Sequence, residues 1–447
     1  MYNLIVIGAG PGGYHTAIRA AQKGLKVAII EKDKVGGVCL NRGCIPTKAL
    51  YATAHKLIDI DHSKDFGIDI DKFSFDFSIA QERKDKIVSQ MVLAVEDLFK
   101  KHKIDLFIGE AEFISKSIIK VNDDTLETEN IIIATGSSPL MLPFFNIDHE
   151  VILDSTDLLN LKELPKSLII LGAGVMGVEF ATIFNAFGVD VTLLELEKQI
   201  LPLVEKRVSS RMAKMLKNRG VKLELRKRTE LIKNDNGEAY FKLDNGSEFR
   251  AEKALISIGR KFNSNIKGLD KIGIELDSKG AIIVDYNQKT NIDNIFAIGD
   301  VVGGMLLAHV ASYEGERALF YIENGKTYPK KTVPSAIFSI PEIAIVGKSD
   351  KSFKKGVFSY LANGKALALG EKEGTAIIYA DDNNIIKGAT IMGADASNLI
   401  QLITLAIDNK MELHHFSKTI FPHPTLSEII LEATEDIDGV AIHKFSK

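Results

Sequence analysis

The chain's only two cysteines, Cys39 and Cys44, sit close together among 447 residues. They fall in Gly36-Gly37-Val38-Cys39-Leu40-Asn41-Arg42-Gly43-Cys44-Ile45-Pro46-Thr47-Lys48. Four intervening residues let the two Cα atoms come within the roughly 4.4–6.8 Å that a disulfide requires. A disulfide-stapled secreted protein would carry many more cysteines, and a structural zinc site usually takes four ligands. In a reducing compartment a close pair reads first as a redox couple, with two inert buried thiols as the bland alternative. Gly36 and Gly37 let the chain turn sharply. A helix N-terminus here would lower a thiol pKa and stabilise a thiolate.

A second candidate constellation lies near the end, His423-Pro-Thr-Leu-Ser-Glu428. An imidazole with an ordinary pKa near 6.5 suits proton exchange with a thiol at neutral pH. Pro424 restricts the backbone of His423 and helps fix its aim. A carboxylate on one ring nitrogen would orient the ring and stabilise the imidazolium. The same residues also spell a T-x-x-E capping box, so Glu428 has a competing role at a helix start. Taken alone, the pattern favours the cap, with the dyad as the alternative.

Two glycine-rich turns supply the frame for this chemistry. Leu4-Ile-Val-Ile-Gly8-Ala-Gly10-Pro-Gly-Gly13 runs from an apolar strand into a helical pattern, and Val27-Ala-Ile-Ile-Glu31 follows. The pattern recurs 164 residues later as Leu168-Ile-Ile-Leu-Gly172-Ala-Gly174-Val-Met-Gly177, with Glu195 in the place of Glu31. Gly8 and Gly172 permit the tight turn, and Gly10 and Gly174 let the backbone approach a pyrophosphate. Gly13 and Gly177 let helix and strand pack closely. The helix N-terminus offers free N–H groups and a positive dipole to phosphate. Glu31 and Glu195 would accept hydrogen bonds from ribose hydroxyls, and an acid there favours NAD over NADP. Two nucleotide sites in one chain imply an electron relay between two cofactors.

The bulk composition agrees with an ordinary globular enzyme. Apolar residues make up 45% and charged residues 26%, and the formal charge is −3, from 56 Lys+Arg against 59 Asp+Glu. A generic nucleic-acid binder is thereby disfavoured. No apolar run approaches the roughly 20 residues that span a bilayer, and the start lacks a signal-peptide pattern, so a cytoplasmic place is expected. The fold expected is α/β, with two Rossmann-like dinucleotide-binding domains, the NAD unit inserted in the FAD unit, plus a C-terminal α+β domain. The expected divisions are 1–142 and 264–332 for the FAD-binding part, 143–263 for the NAD-binding part and 333–447 for the C-terminal part.

The cysteine motif resembles the redox-active disulfide of the FAD-dependent pyridine nucleotide–disulfide oxidoreductases. The likeness extends through Gly8 to Gly13, Ala134-Thr135-Gly136, Gly172 to Gly177, Phe296-Ala-Ile-Gly-Asp300, Ala308-His309 with Glu314-Gly315, and His423 to Glu428. It is strongest to those members that oxidise dihydrolipoyl groups in 2-oxoacid dehydrogenase complexes. The resemblance implies FAD and NAD as cofactors, with Cys44 facing the flavin and Cys39 as the interchange thiol. It places Lys48 and Glu179 near the reactive flavin edge, and Asp300 at the ribityl–phosphate region. Thr135, Gly136, Gly259 and Ala308 join the cofactor-binding set. With the resemblance the dyad becomes the preferred reading, with capping by Thr425 as a compatible second role. His423 and Glu428 would serve the other subunit's disulfide, which implies a homodimer with the C-terminal domain as its dimerisation and interface domain, and the lipoyl domain of an acyltransferase as partner. Alternatives are an NAD(P)H-dependent reductase of another disulfide or of mercuric ion, or a mainly structural flavoprotein subunit. Arg42 and Val38 depart from the family's usual wording, and Arg42 is a candidate to lower a thiol pKa or to meet an anionic substrate. His309 reads as structural support, and His414-His415 as surface without a third metal ligand.

Overall fold

The computed structural model describes residues 1–444, which fold as two compact units. The first comprises residues 1–50, 75–164 and 255–329, and the second residues 51–74, 165–254 and 330–447. The first unit is therefore discontinuous: the chain leaves it after residue 164 and returns at 255, inside the expected 143–263 segment. Among the described residues no helix is long and apolar enough to cross a membrane.

In the first unit, parallel strands lie in the order Asp105–Ile108, Val27–Glu31, Tyr2–Ile7, Asp124–Ile133 and Ile295–Ala297. Leu4 registers with Val27, and Ile5 with Ile131. That order, with the first strand inside and its successors wound outward, is the dinucleotide-binding arrangement. The strands read as unbroken apolar runs because both faces are buried. Ile5, Ile7, Ala28, Ile30 and Ile131 point into one core, and Leu4, Val6, Val27, Ile29 and Ile132 into the other. Helix Pro11–Gln22 follows the first strand and packs on helix Ala308–Asn324.

The second unit repeats the motif. Lys222–Leu225, Asp190–Glu195 and Ser167–Leu171 run parallel in that order, with helix Val175–Ala186 after the first strand. A three-stranded antiparallel sheet of Thr229–Asp235, Glu238–Leu243 and Glu248–Ala251 accompanies it. The C-terminal part is a five-stranded antiparallel sheet in the order Pro334–Ile337, Glu342–Gly347, Ile386–Gly393, Thr375–Ala380 and Lys354–Ser359. Helices Ala396–Asp408 and Glu428–Glu435 cover it, burying Ile400, Ile403, Ile429 and Ile430 against Ile378 and Ile391. That helix pair positions the His423 loop.

Candidate active site

Each glycine of the first turn has a distinct geometric reason. Gly8 has φ +105°, and a Cβ on it would meet the Ala134 carbonyl oxygen at 2.4 Å. A Cβ on Gly13 would sit 1.8 Å from the Gly8 carbonyl oxygen, so helix and turn approach as expected. At Gly10 a Cβ would meet nothing within 4 Å, and the same holds at Gly174. Both positions immediately precede the first residue of a twelve-residue helix, whose leading N–H groups lack intrahelical partners. Open space at two helix N-termini fits two dinucleotide pyrophosphates, the groups that FAD and NAD would place there. Gly172 shares the positive φ of Gly8, at +103°, and Gly177 is buried within its helix.

Glu31 and Glu195 perform a duty that the strand pattern did not disclose. Glu31 accepts the N–H of Ala9 at 2.8 Å and that of Asp33 at 2.9 Å. Glu195 accepts the N–H of Ala173 at 2.6 Å and that of Glu197 at 2.8 Å. In each copy a buried carboxylate pins the residue between the first two glycines, so the turn is pre-shaped. Each oxygen keeps lone-pair capacity for a ribose hydroxyl.

The two cysteines stand at a break between helices. Cys39 lies in Gly37–Arg42, and Cys44 opens the eighteen-residue helix Cys44–Asp61, with Gly43 between them. Gly36 and Gly37 both take positive φ, and a Cβ on Gly37 would be 2.7 Å from the Gly10 Cα. The cysteine segment thus runs against the nucleotide turn. Cys39 is half-buried and Cys44 is exposed. The Cys39 thiol is pushed well above its ordinary range, first by its hydrogen bond with Cys44, then by burial and the negative charge of Cys44. Lys48 pulls the other way. The expected helix N-terminus therefore belongs to Cys44. Tyr14 faces the pair: burial raises its phenol first, and charge on Cys39 and Cys44 adds to this.

Arg42 forms an ion pair with Asp33 at 2.5 Å, and Lys48 is the cation that pulls the Cys39 thiol down.

Around the first nucleotide turn the structure gathers residues from distant segments. Asp300 accepts a short hydrogen bond from the Ser137 hydroxyl, and Arg260 Nε lies 3.6 Å from its carboxylate. Arg260 also donates to Ser137 Oγ at 2.6 Å and to its carbonyl at 2.7 Å. Thr135 donates its hydroxyl to the Asn263 carbonyl at 2.7 Å, and Gly136 and Gly259 have φ +70° and +142°. Ala308 is the first residue of its helix, which also carries Glu314. Glu314 accepts the Gly299 N–H at 2.7 Å, and burial pushes its carboxyl up to about 7. Ser137, Arg260, Glu314 and Tyr14 were not singled out from sequence as site residues. A hint lay in Ser137 and Arg260, each of which immediately follows a site glycine.

In the second unit His423 Nδ1 lies 2.9 Å from Glu428 Oε1, and the imidazole is 79% exposed. Burial raises the Glu428 carboxyl, but the Thr425 N–H and His423 outweigh it and hold the group below its usual range. Only half of the capping box forms. Glu428 Oε2 accepts the Thr425 N–H at 2.8 Å, but the Thr425 hydroxyl donates to the Pro422 carbonyl. The helix itself starts at Glu428, so capping by the Thr425 side chain is not realised. Glu179 accepts the Phe338 N–H at 2.9 Å, and Lys48 lies on the helix that Cys44 opens. His414 and His415 are exposed as expected, but Glu412 stands 3.1 Å from His414 Nδ1, a third group that the sequence pattern did not offer.

Comparison with known proteins agrees with this geometry. Residues 2–315 match the pyridine nucleotide-disulphide oxidoreductase family, and residues 333–434 match its dimerisation domain. The dihydrolipoyl dehydrogenase of Geobacillus stearothermophilus is 40% identical, over 99% of this chain and 97% of that protein. The chain belongs to the pyridine nucleotide-disulphide oxidoreductase family. The dihydrolipoyl dehydrogenase of Bacillus subtilis is 39% identical over 98% of this chain and 97% of its own. Among solved structures, the HOCl-induced flavoprotein disulfide reductase RclA from Escherichia coli aligns with TM-score 0.88 and 28% identity. That alignment covers 98% of this chain and all of RclA. LpdA from Mycobacterium tuberculosis aligns with TM-score 0.91 and 25% identity, over 97% and 99% of the two chains. Two nucleotide-binding domains and a dimerisation domain are the architecture of this oxidoreductase family, whose members use FAD and NAD, and the dimerisation domain supports a homodimer.

Proposed function

We propose that this chain oxidises protein-bound dihydrolipoyl groups to lipoyl, as the NAD-dependent flavoprotein component of cytoplasmic 2-oxoacid dehydrogenase complexes. The observation that carries the reading is the hydrogen-bonded Cys39–Cys44 pair, held on a segment that touches the Gly10 turn. The full-length likeness to dihydrolipoyl dehydrogenases supports the substrate class.

The working cycle starts from the Cys39–Cys44 disulfide. His423, oriented by Glu428, takes the proton of one dihydrolipoyl thiol. The resulting thiolate attacks Cys39 Sγ, forming a mixed disulfide and releasing Cys44 as a thiolate. The second dihydrolipoyl thiol then displaces Cys39 from the mixed disulfide, which completes lipoyl and leaves the enzyme as a dithiol. Each exchange makes one S–S bond and breaks one. FAD, which the first glycine turn would hold, would supply the two-electron route from this dithiol to NAD⁺. In the dithiol form Cys44 opens a helix, whose N-terminus favours a thiolate.

Lys48 and Glu179 are assigned to the reactive flavin edge, and Asp300, steadied by Ser137 and Arg260, to the ribityl–phosphate region. In the homodimer the His–Glu pair of each subunit serves the thiols of the other, and a lipoyl domain is the docking partner. The divisions 1–142 with 264–332, 143–263 and 333–447 are the proposed FAD, NAD and interface parts. The test is Cys44→Ser: protein that retains FAD but loses dihydrolipoamide oxidation supports the scheme, and full turnover refutes it.

A further inference from the structure

Helix Glu428–Glu435 holds a second imidazole besides His423. Glu428 and Glu432 are four residues apart, so their side chains stand about one turn apart on the same face. Just as Glu428 holds His423 through Nδ1, Glu432 holds His443 through Nδ1, at 2.6 Å. Glu432 also accepts the backbone N–H of His443 at 3.2 Å. The Glu432 side chain is only 8% exposed, whereas the His443 side chain is 69% exposed. A carboxylate thus holds the ring through Nδ1 as in the first pair, and Glu432 is the more buried of the two carboxylates. The cycle described above makes no use of it.

We propose that His443, seated on Glu432, is a positioning residue for proton transfer at His423–Glu428, its charge governing how readily that pair accepts a proton. The inference rests on the reading of His423 as the proton acceptor. The charged groups around His443 are Glu428, Glu432, Glu435 and Asp436 of the helix end, Lys444 next in the chain, and Arg207 and Arg211. The two arginines line a cavity of about 360 Å³ together with His443 and Lys444. Arg211 is paired with Glu373 at 2.9 Å, and Lys444 with Asp436 at 2.5 Å, so both are largely answered locally.

The Glu432 hydrogen bond is the leading reason that the His443 imidazole is held above its ordinary value, and Glu428 adds to the effect. The influence is mutual, since His443 is among the groups that lower the Glu428 carboxyl. When protonated, His443 places a cation on the carboxylate one helical turn from Glu428, and that charge stabilises the Glu428 carboxylate.

Asparagine at 443 retains a side-chain donor for Glu432 without the charge, and lysine retains the charge. In low salt, H443N moves the acid limb of kcat/KM for dihydrolipoamide upward by about 0.3–0.6 pH unit, the size of a screened unit charge at this spacing. H443K keeps the wild-type limb. An unmoved limb in folded, flavin-loaded H443N overturns the proposal, as does an equal shift in H443K. A measurement on unaltered protein covers the case in which H443N does not fold. The His423 ring resonance, followed by NMR against pH, shows two inflections when it senses both titrations, and one inflection refutes the coupling. H423Q separates the two levels: retained turnover refutes His423 as proton acceptor, whereas lost turnover with an unmoved H443N limb refutes the His443 coupling alone.

Discussion

Gly174→Ala isolates the second nucleotide turn from everything else in the protein. The residue has φ −69° and ψ −168°, which alanine adopts freely, and its Cβ would meet nothing within 4 Å. At the N-cap, alanine costs a few tenths of a kcal/mol up to ~1 relative to glycine. The stiffer unfolded chain returns about 0.4–1 kcal/mol, so net stability changes by roughly 0.5 kcal/mol or less. The open space is where a pyrophosphate must approach the leading N–H groups of helix Val175–Ala186. Holding the phosphates off by a methyl group forfeits about two charge-assisted hydrogen bonds, each worth ~1.5–3 kcal/mol. A loss of ~3 kcal/mol is about a hundredfold weaker NAD binding. The assay is KM for NAD⁺ in steady state, with flavin content from the absorbance spectrum and Tm from a thermal melt. The expected result is a KM raised about a hundredfold, with flavin content and Tm like wild type. An NAD⁺ KM within threefold of wild type would refute the assignment of this turn.

Gly10→Ala should give the mirror outcome, a folded protein purified with little FAD, checked by its visible spectrum and its melt. Gly13→Ala should lose several kcal/mol, because a Cβ 1.8 Å from the Gly8 carbonyl cannot fit without parting helix from strand; a urea melt reads this. Glu314 binds more protons folded than unfolded, since its carboxyl rises from 4.5 to about 7. Stability of the apoprotein should therefore fall as pH rises from about 4.5 to 7, by at most ~3 kcal/mol, and Glu314→Gln should flatten that slope in pH-dependent melts. Glu428 has the opposite sign: its lowered carboxyl adds stability above about 4.5 that is lost as pH falls through its folded value. Glu428→Gln should shrink the loss of Tm on acidification and should also lower kcat with dihydrolipoamide at neutral pH.

The glycine turns were legible because each requirement is local: a strand, a tight turn and a helix start lie within ten residues, and the pattern occurs twice. The cysteine pair was legible by its spacing and by its neighbours Gly36 and Gly37. The His423–Glu428 contact was also within reach, since the two residues are five apart. What escaped depended on where side chains turn in three dimensions. Arg42 was available for Cys39 or substrate in the sequence, but the fold brings Asp33, nine residues back, into its reach. Thr425 had the spacing of a cap, yet the helix begins at Glu428 and its hydroxyl turns to Pro422. The Ser137–Asp300–Arg260 cluster joins Ser137 to two residues each more than 120 positions further along, which no local pattern reveals. The bonds from Ala9 to Glu31 and from Ala173 to Glu195 depend on a strand returning beside the turn, so the acids were assigned to ribose alone.

The most direct test of the central claim is anaerobic turnover of the FAD-loaded protein with dihydrolipoamide and NAD⁺, following NADH by its absorbance, with NADP⁺ in parallel. Rapid NADH formation with little NADPH is the predicted result, since Glu195 closes the second strand of the NAD turn with a carboxylate. Absence of NADH formation from protein that holds FAD and an oxidisable Cys39–Cys44 pair would contradict the account.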